Sequence, residues 1–355
     1  MKNLVIYRED SPNVIKKIKY YKNLGVNAIL VNQLGDINDE KIAEIIILNE
    51  ALQKNDLLMI IKVDVVEICQ ILLDYKTNFD WANPKVRNSL YQFVNYLSKY
   101  GIRGFFFTGL TEIIEKVSNP RDFLAYMREL DKNVKHKVDM VTIAELNNIS
   151  IDMAKSLKPI FDYIAIKNKP LDNLFDIKTS LLDLYQNNPA HIILDSNNAL
   201  KNFTNSKNYP FKSHSLVAGL TFLLAGAPLI HDFEELGIFN FDASKNDVNM
   251  LDNSNMTLNF YMQMLAARAQ YKVINEGSFR LLFEKDSDIL AYMKVNENEK
   301  LIVFANFSQS EILVDIRFHF IDLYDYEYLL GNYGRRRIVK NLLLRPFELV
   351  SFIKE

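Results

Sequence analysis

One cysteine, Cys69, stands in 355 residues, which excludes an internal disulfide framework and fits a reducing compartment. No apolar run approaches the roughly 20 residues that a membrane-spanning helix needs, and the opening stretch MKNLVIYREDSP meets charge too early for a signal peptide. A cytoplasmic location without a membrane span is the expectation. Tryptophan occurs once, as Trp81, so no ligand surface can be built from several stacked indoles. Neither charge sign dominates: 42 basic and 44 acidic residues leave a net charge of −2, which gives nucleic acid nothing to hold. The one short basic run, Arg335-Arg336-Arg337, reads as a solvated turn. No CxxC, HExxH or HxH spacing suggests a metal, and no GxGxxG or P-loop suggests a nucleotide, so neither metal nor cofactor is expected.

What is present is an alternation. With 49% hydrophobic and 24% charged residues, the chain suits a barrel with a small appendage. Apolar runs at 4–7, 28–32, 57–66, 104–107, 138–144, 161–166, 191–195 and 227–231 read as eight strands. They are continuous, not alternating, as a sheet buried on both faces requires. Helical periodicity fills the intervals, including 40–54, 119–130, 176–186 and 213–225. Asn83 and Pro84 supply an N-cap and a first helical residue, and Trp81 beside them reads as a packing anchor. After Gly277 the helices stop, and FRLLFE, ILAYMKV, KLIVFANF, EILVDIRF and ELVSFIK follow as strands joined by turns. The predicted fold is α/β: a (β/α)8 TIM barrel over 1–274, then a small antiparallel β-sandwich domain over 275–355.

Five segments carry a family likeness. They are NFDWANPKVRNSLYQFVNYLSKYGIRGF (78–105), VTIAEL (141–146), ILDSNNALKN (193–202), GAPLIHDFEELGI (226–238) and EGSFRLLFEKDSDILAYMK (276–294). In this order and spacing the chain resembles glycoside hydrolase family 13, the α-amylase family, and especially its oligo-1,6-glucosidase and α-glucosidase branch. The resemblance implies a carbohydrate-active barrel. It also implies departures. Where the family's fourth strand reads Gly-Phe-Arg-x-Asp, this chain has Gly104-Phe105-Phe106-Phe107-Thr108, which sets Phe106 at the arginine and Thr108 at the nucleophile. Glu145 stands at the general acid. Asn197 and Asn198 replace the His-Asp pair after strand seven, Asn198 at the third carboxylate, and Glu67-Ile68 falls near the Asn-His after strand three. The interval from Val66 to Gly104 is too short for the family's protruding domain B.

Retaining glycosidases set two carboxyl groups about 5.5 Å apart, and a threonine hydroxyl without an adjacent base is a poor substitute for one of them. Losing a nucleophile from such a set costs on the order of 10^4 to 10^6 in rate, or roughly 5–8 kcal/mol of barrier. The leading expectation is therefore a degenerate, inactive relative, a pseudoenzyme that keeps a carbohydrate or a protein partner. The alternative is a hydrolase for α-glucosides with a rebuilt site, in which Glu145 as acid faces Asp195 or Glu67 at roughly 6.5–9.5 Å, the inverting distance. A third is an interaction subunit, like the amylase-like heavy chains of amino-acid transporters. Candidate binding positions are Phe106, Asn197, Asp195, Glu67 and His231. Each has a plainer role: strand-end carboxylates such as Asp64 cap helices, a lone histidine is usually structural, and Glu234-Glu235 suits a helix start.

Overall fold

The computed structural model describes residues 3–10, 13–32, 38–73, 80–117, 119–134, 140–148, 151–167, 171–186, 191–195, 203, 208–237, 251–316 and 325–355. The chain divides into two compact units, Leu4–Asn168 with His191–Ile193, and Lys169–Ala190 with Leu194–Glu355 and the first three residues.

The first unit runs β1 (Ile6–Glu9), α1 (Val14–Leu24), β2 (Ala28–Val31), α2 (Asp39–Gln53), β3 (Leu58–Asp64), α3 (Val65–Leu73), α4 (Pro84–Lys99), β4 (Gly104–Thr108), α5 (Leu110–Lys116), α6 (Pro120–Val134), β5 (Val141–Asn147), α7 (Ile151–Leu157) and β6 (Tyr163–Lys167). Its strands pair in chain order, β1 to β6, all parallel. They bury both faces: every residue of β4 is inaccessible, and a fully buried Ile, Phe or Leu is worth about 1.5–3 kcal/mol. Gly104 opens β4 because a side chain there would lie 2.5 Å from the Met59 carbonyl. Asn83 caps α4 by accepting from Lys85 N at 3.0 Å. The buried Arg87 then locks the entry, donating to the carbonyls of Trp81 and Ala82 and pairing with Glu129 of α6 at 2.8 Å. Trp81 is buried, as a packing anchor should be. Between β3 and β4 the described residues hold helices and no strand.

The second unit continues with α8 (Leu174–Gln186), the last two residues of β7 (Ile193–Asp195), α9 (Pro210–Leu223), β8 (Ala227–His231), α10 (Leu251–Gln270) and α11 (Val273–Glu276). These complete eight parallel strands alternating with helices, the (β/α)8 class. Helix α9 is buried on every side through its second half. Its carboxyl end is capped from α10 by the buried Arg268, which donates to the carbonyls of Phe222 at 2.8 Å and Leu224 at 2.7 Å. No described helix is long and apolar enough to cross a membrane.

The strands that follow are β9 (Ser278–Leu282), β10 (Ile289–Val295), β11 (Lys300–Asn306), β12 (Ile312–Asp315), β13 (Glu327–Gly331), β14 (Asn341–Leu344) and β15 (Leu349–Lys354). They form a five-stranded antiparallel sheet, β13-β15-β11-β10-β9, and a two-stranded one, β12-β14. The two sheets share a core that includes Leu282, Ile302, Phe304, Val314, Leu342 and Phe352. Strands β13 and β14 were not expected; both are short and at sheet edges, where alternation has too few residues to register. Lys178 of α8, 2% exposed, reaches into the β9–β10 turn and donates to the carbonyls of Phe283 at 2.7 Å and Asp286 at 2.6 Å. The basic run is not wholly solvated. Arg335 and Arg337 are exposed, but Arg336 docks on the buried Glu348 at 2.6 Å.

Candidate functional site

In the first unit the candidate residues gather at the carboxyl ends of β3 to β6, where parallel α/β folds carry their chemistry. The register pairs Asp64 with Thr108, Phe106 with Ile143 and Phe107 with Ala144. One further step sets Thr108 beside Glu145, which itself pairs with Ala165. Asp64, Thr108 and Glu145 thus share one face of the sheet, in neighbouring strands about 4.8 Å apart. The threonine stands between two carboxylates.

Each of the three is engaged. Thr108, 4% exposed, donates from Oγ1 to Asp64 Oδ2 at 3.1 Å. The other oxygen of Asp64 accepts from the backbone N–H groups of Val66 at 3.0 Å and Glu67 at 3.1 Å, so the strand-end carboxylate caps α3. Gly109 makes this possible: its φ is +78°, and a side chain there would come within 2.9 Å of Asp64 Oδ1. Glu145 pairs with Lys167 Nζ at 2.7 Å. Two backbone donors hold Asp64 Oδ1 in the cap of α3, and an ammonium covers an oxygen that Glu145 would need as an acid.

Phe106 is 3% exposed and shares the face of Thr108 by alternation. Phe105 and Phe107 take the opposite face and stack on each other with centroids 6.1 Å apart. Glu67 is not at the end of β3. The strand stops at Asp64, whose cap starts α3 one residue later, and Glu67 is exposed in that first helical turn. A further carboxylate, Glu9 at the end of β1, is buried and held by Lys17 at 2.9 Å and by the Tyr21 hydroxyl.

In the second unit, Asp195 at the end of β7 meets His231 at the end of β8, Oδ1 to Nε2, at 2.9 Å. The sequence offered these two singly; folding couples them. His231 N donates to Glu234 Oε2 at 2.9 Å, and Glu234 Oε1 accepts from the Tyr261 hydroxyl at 2.7 Å. Tyr261 lies 3.0 Å from His214 Nε2. With the Tyr261 proton committed to Glu234, His214 donates to its oxygen from the Nε2–H tautomer. Burial pushes the His214 imidazole down to about 3. Glu234 and Glu235 open a short 3-10 helix, Glu234–Leu236, as a helix-start role requires, and both are buried there. Asn197 and Asn198 lie outside the described residues. Among the described residues no cluster of histidine, cysteine or carboxylates could hold a metal ion.

Sequence reasoning missed Lys167 and the Tyr261–His214 extension. The strand at 161–166 was stopped one residue short. Lys167 continues that strand, and the register that pairs Glu145 with Ala165 puts it on the face of Glu145. Tyr261 lies in a helix distant in sequence, and only tertiary packing brings it to Glu234.

No family model matches the chain. Along most of its length it is similar to the oligo-1,6-glucosidase of Bacillus cereus, 20% identical over 78% of this chain and 69% of that protein. It is likewise similar to the trehalose-6-phosphate hydrolase of Bacillus subtilis (strain 168), 19% identical over the same shares. Among solved structures, a trehalose-6-phosphate hydrolase of Bacillus licheniformis aligns with a TM-score of 0.79 at 15% identity, covering 100% of this chain and 99% of the other. An isomaltulose synthase from Klebsiella sp. LX3 aligns with a TM-score of 0.78 at 14% identity, covering 99% of each. The resemblance to glycoside hydrolase family 13 holds, and the fold is that of its barrel with a C-terminal antiparallel β region.

Proposed function

We propose that this α-glucosidase-like chain does not hydrolyse glycosides and is retained to bind a carbohydrate or a protein partner. The observation that carries the reading is Thr108, buried and hydrogen-bonded to Asp64, at the position where the resemblance calls for an attacking carboxylate. The engagement of Glu145 by Lys167 supports it, as does the buried Phe106 in place of a guanidinium. The absence of a domain B in the interval from β3 to β4 belongs to the same reading, as do a barrel ending near 274 and a separate β domain from 275. Purified protein incubated with p-nitrophenyl α-glucoside, isomaltose and trehalose 6-phosphate is expected to give no more product than its Glu145→Gln variant. Turnover that Glu145→Gln abolishes would overthrow the proposal.

A second reading has one specific observation in its favour. Asp64 and Glu145 lie two strand spacings apart, about 9–10 Å between backbones, and inverting glycosidases hold their carboxyl groups roughly 6.5–9.5 Å apart. Such a site needs Lys167 to release Glu145 and α3 to release Asp64. Proton NMR of the first-formed anomer distinguishes it: an inverted product, lost in both Asp64→Asn and Glu145→Gln, would replace the first reading with this one.

A further inference from the structure

A groove of about 890 Å3 runs along the first unit between α1 and α2. None of the positions discussed above lines it. The two helices present matched stripes. Ile15, Lys19 and Lys22 recur on α1, and Ile47, Ala51 and the C-cap Lys54 on α2. Each set keeps the i, i+4, i+7 spacing that holds one helical face. Strands β1, β2 and β3 are parallel, so α1 and α2 both run back in the opposite direction. The isoleucines therefore lie toward one end of the groove and the lysines toward the other.

The apolar end is open. Ile15 is 49% exposed and Ile47 is 60% exposed. Helix α2 carries the run Ile45-Ile46-Ile47-Leu48, which turns most of the way around the helix, yet only Ile45 of the four is buried. A helix that is apolar on more than one side is covered on more than one side, and the described residues leave the Ile47 side bare. Charge says what covers it. Lys16, Lys19, Lys22 and Lys54 line the groove against one carboxylate, Glu50. Among the described residues Lys22 has only the exposed Asp56, 3.9 Å away, and the other three lysines have no ion-pair partner. The acids Asp39, Glu40 and Glu44 at the start of α2 lie outside the lining, Glu44 paired with Lys41 at 2.9 Å. A second copy docking by this same face would set lysine against lysine. A trough between two neighbouring helices is instead the seat that ridge-into-groove packing offers a third.

We infer that this groove docks a protein partner through an acidic amphipathic helix, its apolar stripe on Ile15 and Ile47 and its carboxylates on Lys19, Lys22 and Lys54. The inference goes beyond the proposed loss of hydrolysis and stands or falls apart from it. The test is fluorescence anisotropy on the full chain with a panel of labelled peptide helices of about 20 residues, each with a leucine stripe flanked by glutamates, and with twins carrying lysines for the glutamates. The variants Ile15→Ser, Ile47→Ser and Lys19→Glu alter exposed side chains, and each is checked for an unchanged unfolding midpoint. Glutamate helices are expected to bind, about tenfold more weakly to each isoleucine variant. Binding should weaken likewise in Lys19→Glu and as salt rises from about 0.05 to about 0.5 M. No binding of any glutamate helix at about 1 mM, equal binding of the lysine twins, or affinity unchanged in all three variants overturns the inference. So does a dimer in light scattering that Ile47→Ser dissociates, which would make the occupant a second copy. Co-sedimentation with phosphatidylserine vesicles that Lys19→Glu abolishes, in a protein that ignores the peptides, would make it a membrane surface.

Discussion

The tightest test of the closed arrangement around Thr108 is to restore a carboxylate there. In Thr108→Asp the new oxygens fall where Oγ1 now sits, 3.1 Å from Asp64 Oδ2, in a buried position. At an effective dielectric near 20, two unit charges about 4 Å apart repel by about 4 kcal/mol. The protein can escape only by protonating one of them. Holding an aspartate whose ordinary value is about 3.9 protonated at pH 7 costs some three pH units at about 1.4 kcal/mol each, again about 4 kcal/mol. Both routes converge. Because the folded-state value is raised above the unfolded one, the penalty is full above the folded value, shrinks as pH falls, and is gone below about pH 4. Urea unfolding is expected to show Thr108→Asp about 4 kcal/mol less stable than the parent at pH 7 and within about 1 kcal/mol at pH 4. Thr108→Val, which removes only the hydroxyl donor, should lose about 1 kcal/mol at either pH. A Thr108→Asp protein as stable as the parent at pH 7, or one that gains α-glucosidase activity, refutes the argument that this layer is committed.

Burial holds the His214 imidazole down at about 3 against an ordinary value of about 6.5, so the unfolded chain binds a proton that the folded one refuses. Stability should fall as pH drops from about 6.5 toward 3, and the slope should flatten in His214→Gln, read by urea midpoints across that range. Lys178→Ala leaves the carbonyls of Phe283 and Asp286 without their buried donor, and should cost roughly 2–4 kcal/mol in chemical unfolding. The Cys69 thiol is buried and pushed up to about 11, so a thiol reagent at pH 8 should label it only at the rate of unfolding; prompt labelling of native protein would contradict that burial.

How much of this could be read in advance depended on the range of the signal. Strands β1 to β8 announced themselves because burial on both faces demands unbroken apolar runs, and the Asn83-Pro84 entry to α4 is a local signal. Strand ends were less legible. The run at 57–66 gives no hint that Asp64 ends β3, because the cause is a cap on the next helix made by the same residue. The candidate site was legible as a set of positions and illegible as a set of bonds. Thr108, Glu145, Asp195 and His231 could each be named, but that Thr108 leans on Asp64, that Lys167 covers Glu145, and that Asp195 grips His231 are facts of register and tertiary approach. Periodicity carries no information on pairings between residues so far apart in the chain.

The Lys178 ammonium has an implication for how the protein is made. Its carbonyl partners, Phe283 and Asp286, lie more than a hundred positions downstream, so α8 leaves the ribosome carrying a cation whose permanent acceptors do not yet exist. Until the β9–β10 turn emerges, that lysine must stay in water and α8 cannot seat fully. A chain cut before the β9–β10 turn would be caught in that unfinished state, which makes it a substrate for chaperones and proteases and a poor candidate for a stable isolated barrel.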